Sequence, residues 1–192
     1  MPRKPLYDRD DLIVRARDLF WARGWAGTSM KDLEAALKLN PGSFYAAFGS
    51  KEALYELALD RYAEEGAAGL RKLAEDLGPL EALQAHPLRV LERKGAATAC
   101  MLSKTFLELQ AQAHPLAARA GAHLDDMEAV FASLFEEAQT RGQISADHDP
   151  KRLARRYQSD LLGLRVSSER PSVDAWALAT EIANGVEALR KT

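Results

Sequence analysis

The stretch LNPGSFYAAFGSK, residues 39–51, decides how the chain folds. Asn40, Pro41 and Gly42 are turn formers, yet the aromatics Phe44, Tyr45 and Phe48 follow them closely. Such breakers either close a loop or open a helix. Pro41 biases Asn40 away from helical angles, as a helix-capping residue requires, and asparagine is a preferred cap. Proline is also favoured at the first helical position. The stretch is therefore predicted to open a helix of about eight residues that stops at Gly49.

Upstream, Gly24-Trp25-Ala26-Gly27-Thr28-Ser29 ends one helix and begins another. Ser29 stands three residues before Asp32, the spacing at which a hydroxyl and a carboxylate satisfy each other's free amides. This second helix is expected to run to about Leu37. Ahead of it, Leu12, Ala16, Leu19 and Phe20 fall on one helical face. Two short helices joined by a tight turn, with a third before them, are the helix-turn-helix arrangement that lays its second helix in a major groove. On that helix Phe44 and Phe48 share the face that buries, leaving Ser43, Tyr45, Ala46 and Ala47 elsewhere.

The rest of the chain is helical as well. Val, Ile and Thr total only 15 of the 192 residues, which starves strands, while Ala, Leu, Glu and Arg are abundant. Apolar stripes spaced by three and four run from Leu124 through Met127, Phe131 and Phe135, from Leu153 through Tyr157 to Leu164, and from Leu178 through Ile182 to Leu189. Breakers separate them, and about nine helices are predicted in an all-α fold. Short helices in front and long ones behind imply two parts, residues 1–51 and 52–192, joined by a helix that begins near Lys51. The pentapeptide QAHPL occurs at 84–88 and again at 112–116, and Pro87 and Pro115 are each expected to mark a helix break or start.

Composition sets limits on function. A chain of 192 residues, 47% of them hydrophobic, can bury a real core. The basic N-terminus runs into Asp8, Asp10 and Asp11 instead of an apolar stretch, and charges interrupt every apolar segment, so a cytoplasmic protein without signal peptide or membrane span is expected. Cys100 is the single cysteine, which excludes an intrachain disulfide and a thiolate-rich metal site. His86, His114, His123 and His148 lack zinc-motif spacing, and no metal or cofactor is expected. No Gly-rich phosphate loop, nucleophile elbow or catalytic carboxylate set is present, so no enzyme is read here. Residues 1–51 hold nine Lys or Arg against six Asp or Glu, a net +3, leaving 17 against 22, a net −5, in the remainder. That asymmetry points the N-terminal quarter toward an anionic partner.

With these residues in view, the chain resembles the TetR family of bacterial one-component transcriptional regulators. The resemblance covers roughly residues 8–62 and is carried by Ala16, Leu19, Phe20, Gly24, Thr28, Ser29, Asp32, Leu33 and Ala36, then Gly42-Ser43-Phe44-Tyr45 and Phe48-Gly49-Ser50-Lys51-Glu52-Ala53-Leu54. One departure is Lys38, in an interhelix turn where the family usually has glycine. The resemblance implies phosphate contacts from Thr28 or Ser29, Tyr45 and Lys51. It implies base or groove contacts from Asn40, Pro41, Gly42, Ser43 and Ala46. It also implies a ligand-responsive regulator, a repressor in the usual case, that binds a palindromic operator in double-stranded DNA as a homodimer and is released by a small molecule.

In the family the head is followed by a helical ligand-binding and dimerisation domain whose last two helices, here about 150–167 and 173–190, pair with a second subunit. An apolar pocket is expected between the middle helices, with Cys100, Phe106, Met127, Phe131 and Tyr157 as candidates. Ala99-Cys100-Met101-Leu102 resembles the segment that opens the family's sixth helix. An alternative reading is a thiol-based sensor of electrophiles or oxidants of the same fold, with Cys100 as the reactive group and Arg93, Lys94 and Lys104 near enough to favour its thiolate. A further alternative is a helical adaptor that binds protein and uses the front helices only for packing.

Overall fold

The structure, a computed structural model, describes residues 8–92 and 99–191. Among the described residues there are nine α-helices: α1 (Arg9–Arg23), α2 (Met30–Leu37), α3 (Pro41–Phe48), α4 (Lys51–Leu77), α5 (Pro79–Glu92), α6 (Met101–Leu109), α7 (Pro115–Thr140), α8 (Pro150–Ser167) and α9 (Ala175–Glu187). A single 3-10 turn, Gln110–Gln112, follows α6. No described helix is long and apolar enough to cross a membrane, and no three or more His, Cys, Asp and Glu among the described residues are grouped to hold a metal ion.

The chain divides into two compact units. The first comprises residues 1–64 and 101–121, the second residues 65–100 and 122–192. The division by packing therefore falls inside α4 instead of at its start near Lys51, and it brings α6 and the first residues of α7 to the head.

In the first unit, α1 begins on Asp8, whose carboxylate accepts the Asp10 amide, and stops at Gly24, whose φ of 76° lets its amide turn back to the Phe20 carbonyl. Its apolar face buries Leu12, Ala16 and Phe20. Leu33 and Leu37 of α2, Phe44 and Phe48 of α3, and Leu54, Tyr55 and Ala58 of α4 are likewise buried. The Phe20 and Tyr55 rings meet at 4.4 Å and those of Phe44 and Phe48 at 5.7 Å. Under the α4–α6 contact, Tyr55 Oη and Thr105 Oγ1 lie 2.7 Å apart, and the Thr105 hydroxyl also reaches the Met101 carbonyl at 2.9 Å.

The second unit is a helical body whose core joins Leu80 and Leu83 of α5, Phe131, Leu134 and Phe135 of α7, Tyr157, Leu161 and Leu164 of α8, and Ala179 and Val186 of α9. Pro115 opens α7, as expected, but Pro87 does not end a helix: it lies inside α5. Having no N–H, it leaves the Leu83 carbonyl one turn earlier without its helical donor. The Tyr157 hydroxyl supplies that donor at 2.6 Å. Burial raises the Tyr157 phenol well above its ordinary pKa, keeping the proton in place for this bond.

Candidate nucleic-acid interface

The α2–α3 element is built by caps. The Ser29 hydroxyl accepts the Asp32 amide at 3.2 Å, and the Asp32 carboxylate accepts the Ser29 amide at 2.9 Å and the Ser29 hydroxyl at 2.6 Å. Arg23 adds a 2.7 Å ion pair to the same carboxylate. The Ser29 hydroxyl, then its amide, then Arg23 hold the Asp32 carboxyl at about 2, below its ordinary 3.8. The α2 helix closes at Lys38, whose φ of 56° and ψ of 40° are left-handed and whose amide bonds to the Glu34 carbonyl. Asn40 then takes extended angles, and its side-chain oxygen accepts the Ser43 amide at 2.8 Å, with Pro41 as the first helical residue.

This geometry turns Phe44 and Phe48 inward and leaves Asn40, Pro41, Gly42, Tyr45 and Ala46 exposed, with Ser43 half-buried. Tyr45 is 53% exposed, its ring standing edge-on to Phe44 at 5.5 Å. A Cβ built on Gly42 would meet only the Asn40 side-chain oxygen, at 3.5 Å. Nothing in the head's own packing demands glycine there. The exposed face of α3 carries no charge and, apart from the Tyr45 ring, is made of small side chains, so close approach to a surface is sterically open.

Of the pair Thr28 and Ser29, only Ser29 is exposed. The Thr28 side chain is 1% exposed, and its hydroxyl donates to the Gly24 carbonyl at 2.8 Å, so it braces the turn that presents Ser29. Lys51 is engaged from within as well. Its ammonium donates to the Trp25 carbonyl at 2.6 Å and lies 4.0 Å over the Trp25 ring. Burial there lowers its pKa, and the nearby Glu108 charge opposes the shift.

Glu108 belongs to a clamp that nothing in the local sequence announces. Its carboxylate accepts the amides of Trp25 at 3.1 Å and Ala26 at 2.8 Å, while Lys104, one helical turn away on α6, donates to the Trp21 carbonyl at 2.7 Å. Lys104 thereby caps the open C-terminal end of α1, and Glu108 fills the turn beyond it. The His114 ring packs edge-on to Trp25 at 5.4 Å. The i, i+4 spacing of Lys104 and Glu108 placed them on one face of α6. Their target, some 80 residues earlier in the chain, was not readable from that spacing.

Other cations of the head are largely committed: Arg15, Arg17 and Arg23 to Asp11, Asp18 and Asp32, and Arg9 to the Phe48 ring at 5.5 Å. The side chains of Lys31 and Lys38, at opposite ends of α2, have no hydrogen-bond or ion-pair partner among the described residues.

Residues 12–58 match the description "Bacterial regulatory proteins, tetR family", and residues 77–169 match "Tetracyclin repressor-like, C-terminal domain". The chain belongs to the TetR family. This TetR-family chain is a DNA-binding transcriptional regulator. It is 39% identical to the HTH-type transcriptional repressor ComR of Escherichia coli (strain K12) over 66 residues, 34% of this chain and 31% of that one. With the HTH-type transcriptional repressor DhaR of Mycobacterium sp. (strain GP1) it shares 24% identity over 91% of its own length and 89% of DhaR's. A cysteine mutant of the TetR family transcriptional regulator CifR, complexed with 26-bp double-strand operator DNA, superposes with a TM-score of 0.78 at 27% identity, covering 97% of this chain and 99% of CifR.

The five residues expected around a ligand divide between the two units. Phe106 falls in the first unit, against Gly121, whereas Cys100, Met127, Phe131 and Tyr157 fall in the second. There the Phe131 and Tyr157 rings pack at 4.9 Å and Met127 rests on the same core. Cys100 is buried just ahead of α6. Lys104 serves the α1 terminus, and Arg93 and Lys94 lie outside the described residues. Along α8 and α9 runs an apolar groove of about 590 Å³ lined by Leu153, Tyr157, Leu164, Leu178, Ile182 and Leu189 among others. Of the five candidates, Tyr157 alone is among its lining residues.

Proposed function

We propose that this TetR-family regulator is a repressor that binds a palindromic operator as a homodimer and leaves it when a small molecule binds the helical body. The observation that carries the reading is α3: an eight-residue helix, capped by Asn40 and anchored by Phe44 and Phe48, whose exposed edge is small and uncharged. One such helix touches too few base pairs to be specific, so two copies are required, in successive major grooves about 34 Å apart.

Residues 1–51 are the DNA-binding domain in this proposal, and 52–192 bind ligand and partner. Ser29, Tyr45 and Lys51 contact phosphates, and Asn40, Pro41, Gly42, Ser43 and Ala46 enter the groove. Thr28 acts by positioning Ser29. The second copy docks on the α8–α9 groove, whose Leu178, Ile182 and Leu189 form the stripe a four-helix interface needs. Phe131, Met127 and Tyr157, with Cys100 and Phe106, are the first positions to test for effector contact. The protein works in the cytoplasm, where an operator is accessible. An effector acts by binding one subunit arrangement more tightly than the other.

The test is enrichment of bound sequences from random DNA by the full chain, followed by sedimentation of the free protein. A two-fold symmetric site and a dimer are expected. Failure to enrich any sequence overturns the DNA-binding proposal, and a monomer that still binds a single half-site overturns the dimer.

A further inference from the structure

We infer that Lys38, at the left-handed corner between α2 and α3, is an operator-phosphate contact. The inference rests on the operator-binding reading above and assigns a residue to it.

Lys38 and Ala113 are the non-glycine residues with positive φ among the described residues. A left-handed backbone crowds the Cβ of any residue but glycine, and such strain persists where something else requires the side chain. The fold itself does not require it. The Lys38 amide closes α2 on the Glu34 carbonyl, a bond any residue except proline would make. The side chain is exposed and has no partner among the described residues. Complementing the helix dipole is no explanation, because the last turn of α2 carries no base: its exposed Ala35 and half-buried Glu34 would take a lysine without backbone strain.

What lies beside Lys38 supplies the reason. It precedes the Asn40 cap by two residues, and α3 carries no acidic or basic residue in its first or last turn. Arg9, Arg23 and Lys51 are held by Phe48, Asp32 and Trp25. The positive charges near the reading helix that no other group among the described residues engages are those of Lys38 and, at the far end of α2, Lys31, each able to replace a counterion on DNA.

The experiment compares wild type, Lys38→Asn, Lys38→Gly and Lys38→Arg in operator affinity across a salt series, with thermal unfolding of each. Asparagine and glycine both accept the left-handed corner, so neither variant should unfold, and the glycine variant should melt at or above the wild-type temperature. Both should bind more weakly, by the same factor on every operator variant. The slope of log affinity against log salt should become shallower by roughly 0.9 per subunit. Lys38→Arg should keep the wild-type slope. Unchanged slopes in the asparagine and glycine variants overturn the assignment, as does a loss confined to particular base pairs. Wild-type protein that binds no DNA overturns the operator reading itself, a result distinguishable from either.

Discussion

The Lys51 ammonium donates to the Trp25 carbonyl oxygen at 2.6 Å and lies 4.0 Å above the centre of the same residue's indole. The Trp25 amide, on the other side of that residue, goes to Glu108. Both backbone polar groups of one turn residue are thus satisfied by side chains from α4 and α6. The loop that aims α2 and α3 is a fixed joint.

Lys51→Ala should therefore destabilise the protein besides weakening DNA binding. A charge-assisted hydrogen bond and a cation–π contact are lost together, and about 2 kcal/mol is expected. Urea unfolding in the absence of DNA checks this, since a side chain that served DNA alone would leave the midpoint where it was.

Glu108→Gln should depress the Lys51 pKa further. Burial already holds that ammonium below the ordinary lysine value, and the Glu108 charge offsets part of the effect. A folded pKa below the unfolded one opposes folding at neutral pH and ceases to do so as pH rises past both values. Removing the carboxylate enlarges that opposition. NMR titration of the Lys51 side chain reads the change, and a rise would contradict the arrangement.

Ser29→Ala should release Asp32. Its carboxyl sits at about 2 because the Ser29 hydroxyl and amide, then Arg23, favour the charged form. With the folded value depressed below 3.8, the stabilisation is complete above pH 4 or so and disappears as pH falls toward 2. In the variant the Asp32 pKa moves up, so the acid-sensitive stabilisation is smaller and its loss is complete at a higher pH. Carboxyl titration by NMR, with helicity followed alongside, tests both halves.

Thr105→Val and Tyr55→Phe should differ although they break the same 2.7 Å bond. The Thr105 hydrogen goes to the Met101 carbonyl, so the phenol is the donor. Valine leaves a buried donor with nothing to meet, costing about 1–3 kcal/mol, whereas phenylalanine leaves Thr105 still bonded and should cost about 1 kcal/mol or less. Tyr55 is held protonated, its pKa raised by burial to about 12. Equal unfolding midpoints for the two variants would reverse the assigned donor.

Tyr157→Phe should cost about 1–3 kcal/mol by orphaning the Leu83 carbonyl. In a Pro87→Ala background the restored amide takes that carbonyl, and the same change should be nearly free. Calorimetry of the four proteins gives the coupling energy, and additivity within error would show the tyrosine bond to be incidental.

Legibility in the sequence followed range. Ser29 with Asp32, Asn40 with Pro41, and the alternation that buries Phe44 and Phe48 are local rules written within a few residues, so α2 and α3 were readable. Thr28 was harder. Its type suits a phosphate contact as well as a brace, and the Gly24 carbonyl that its hydroxyl meets is visible only in the structure. Pro87 misled because a partner 70 residues on, Tyr157, repairs the gap proline makes. The Glu108 and Lys104 clamp joins residues about 80 positions apart, and charge spacing on one helix says nothing of what the charges face.

For the operator binding proposed above, the uncharged edge of α3 also bears on which bases a half-site can contain. Guanine is usually picked out by a two-pronged arginine or lysine, and adenine by both ends of an asparagine amide. This helix has no arginine or lysine, and the Asn40 oxygen already holds the Ser43 amide. What its edge offers is a proline ring, two hydroxyls and the Ala46 methyl, a surface suited to the 5-methyl groups of thymine. Uracil put in place of thymine, one position at a time, should then weaken the complex at the centre of each half-site, where replacing a base that only pairs would pass unnoticed.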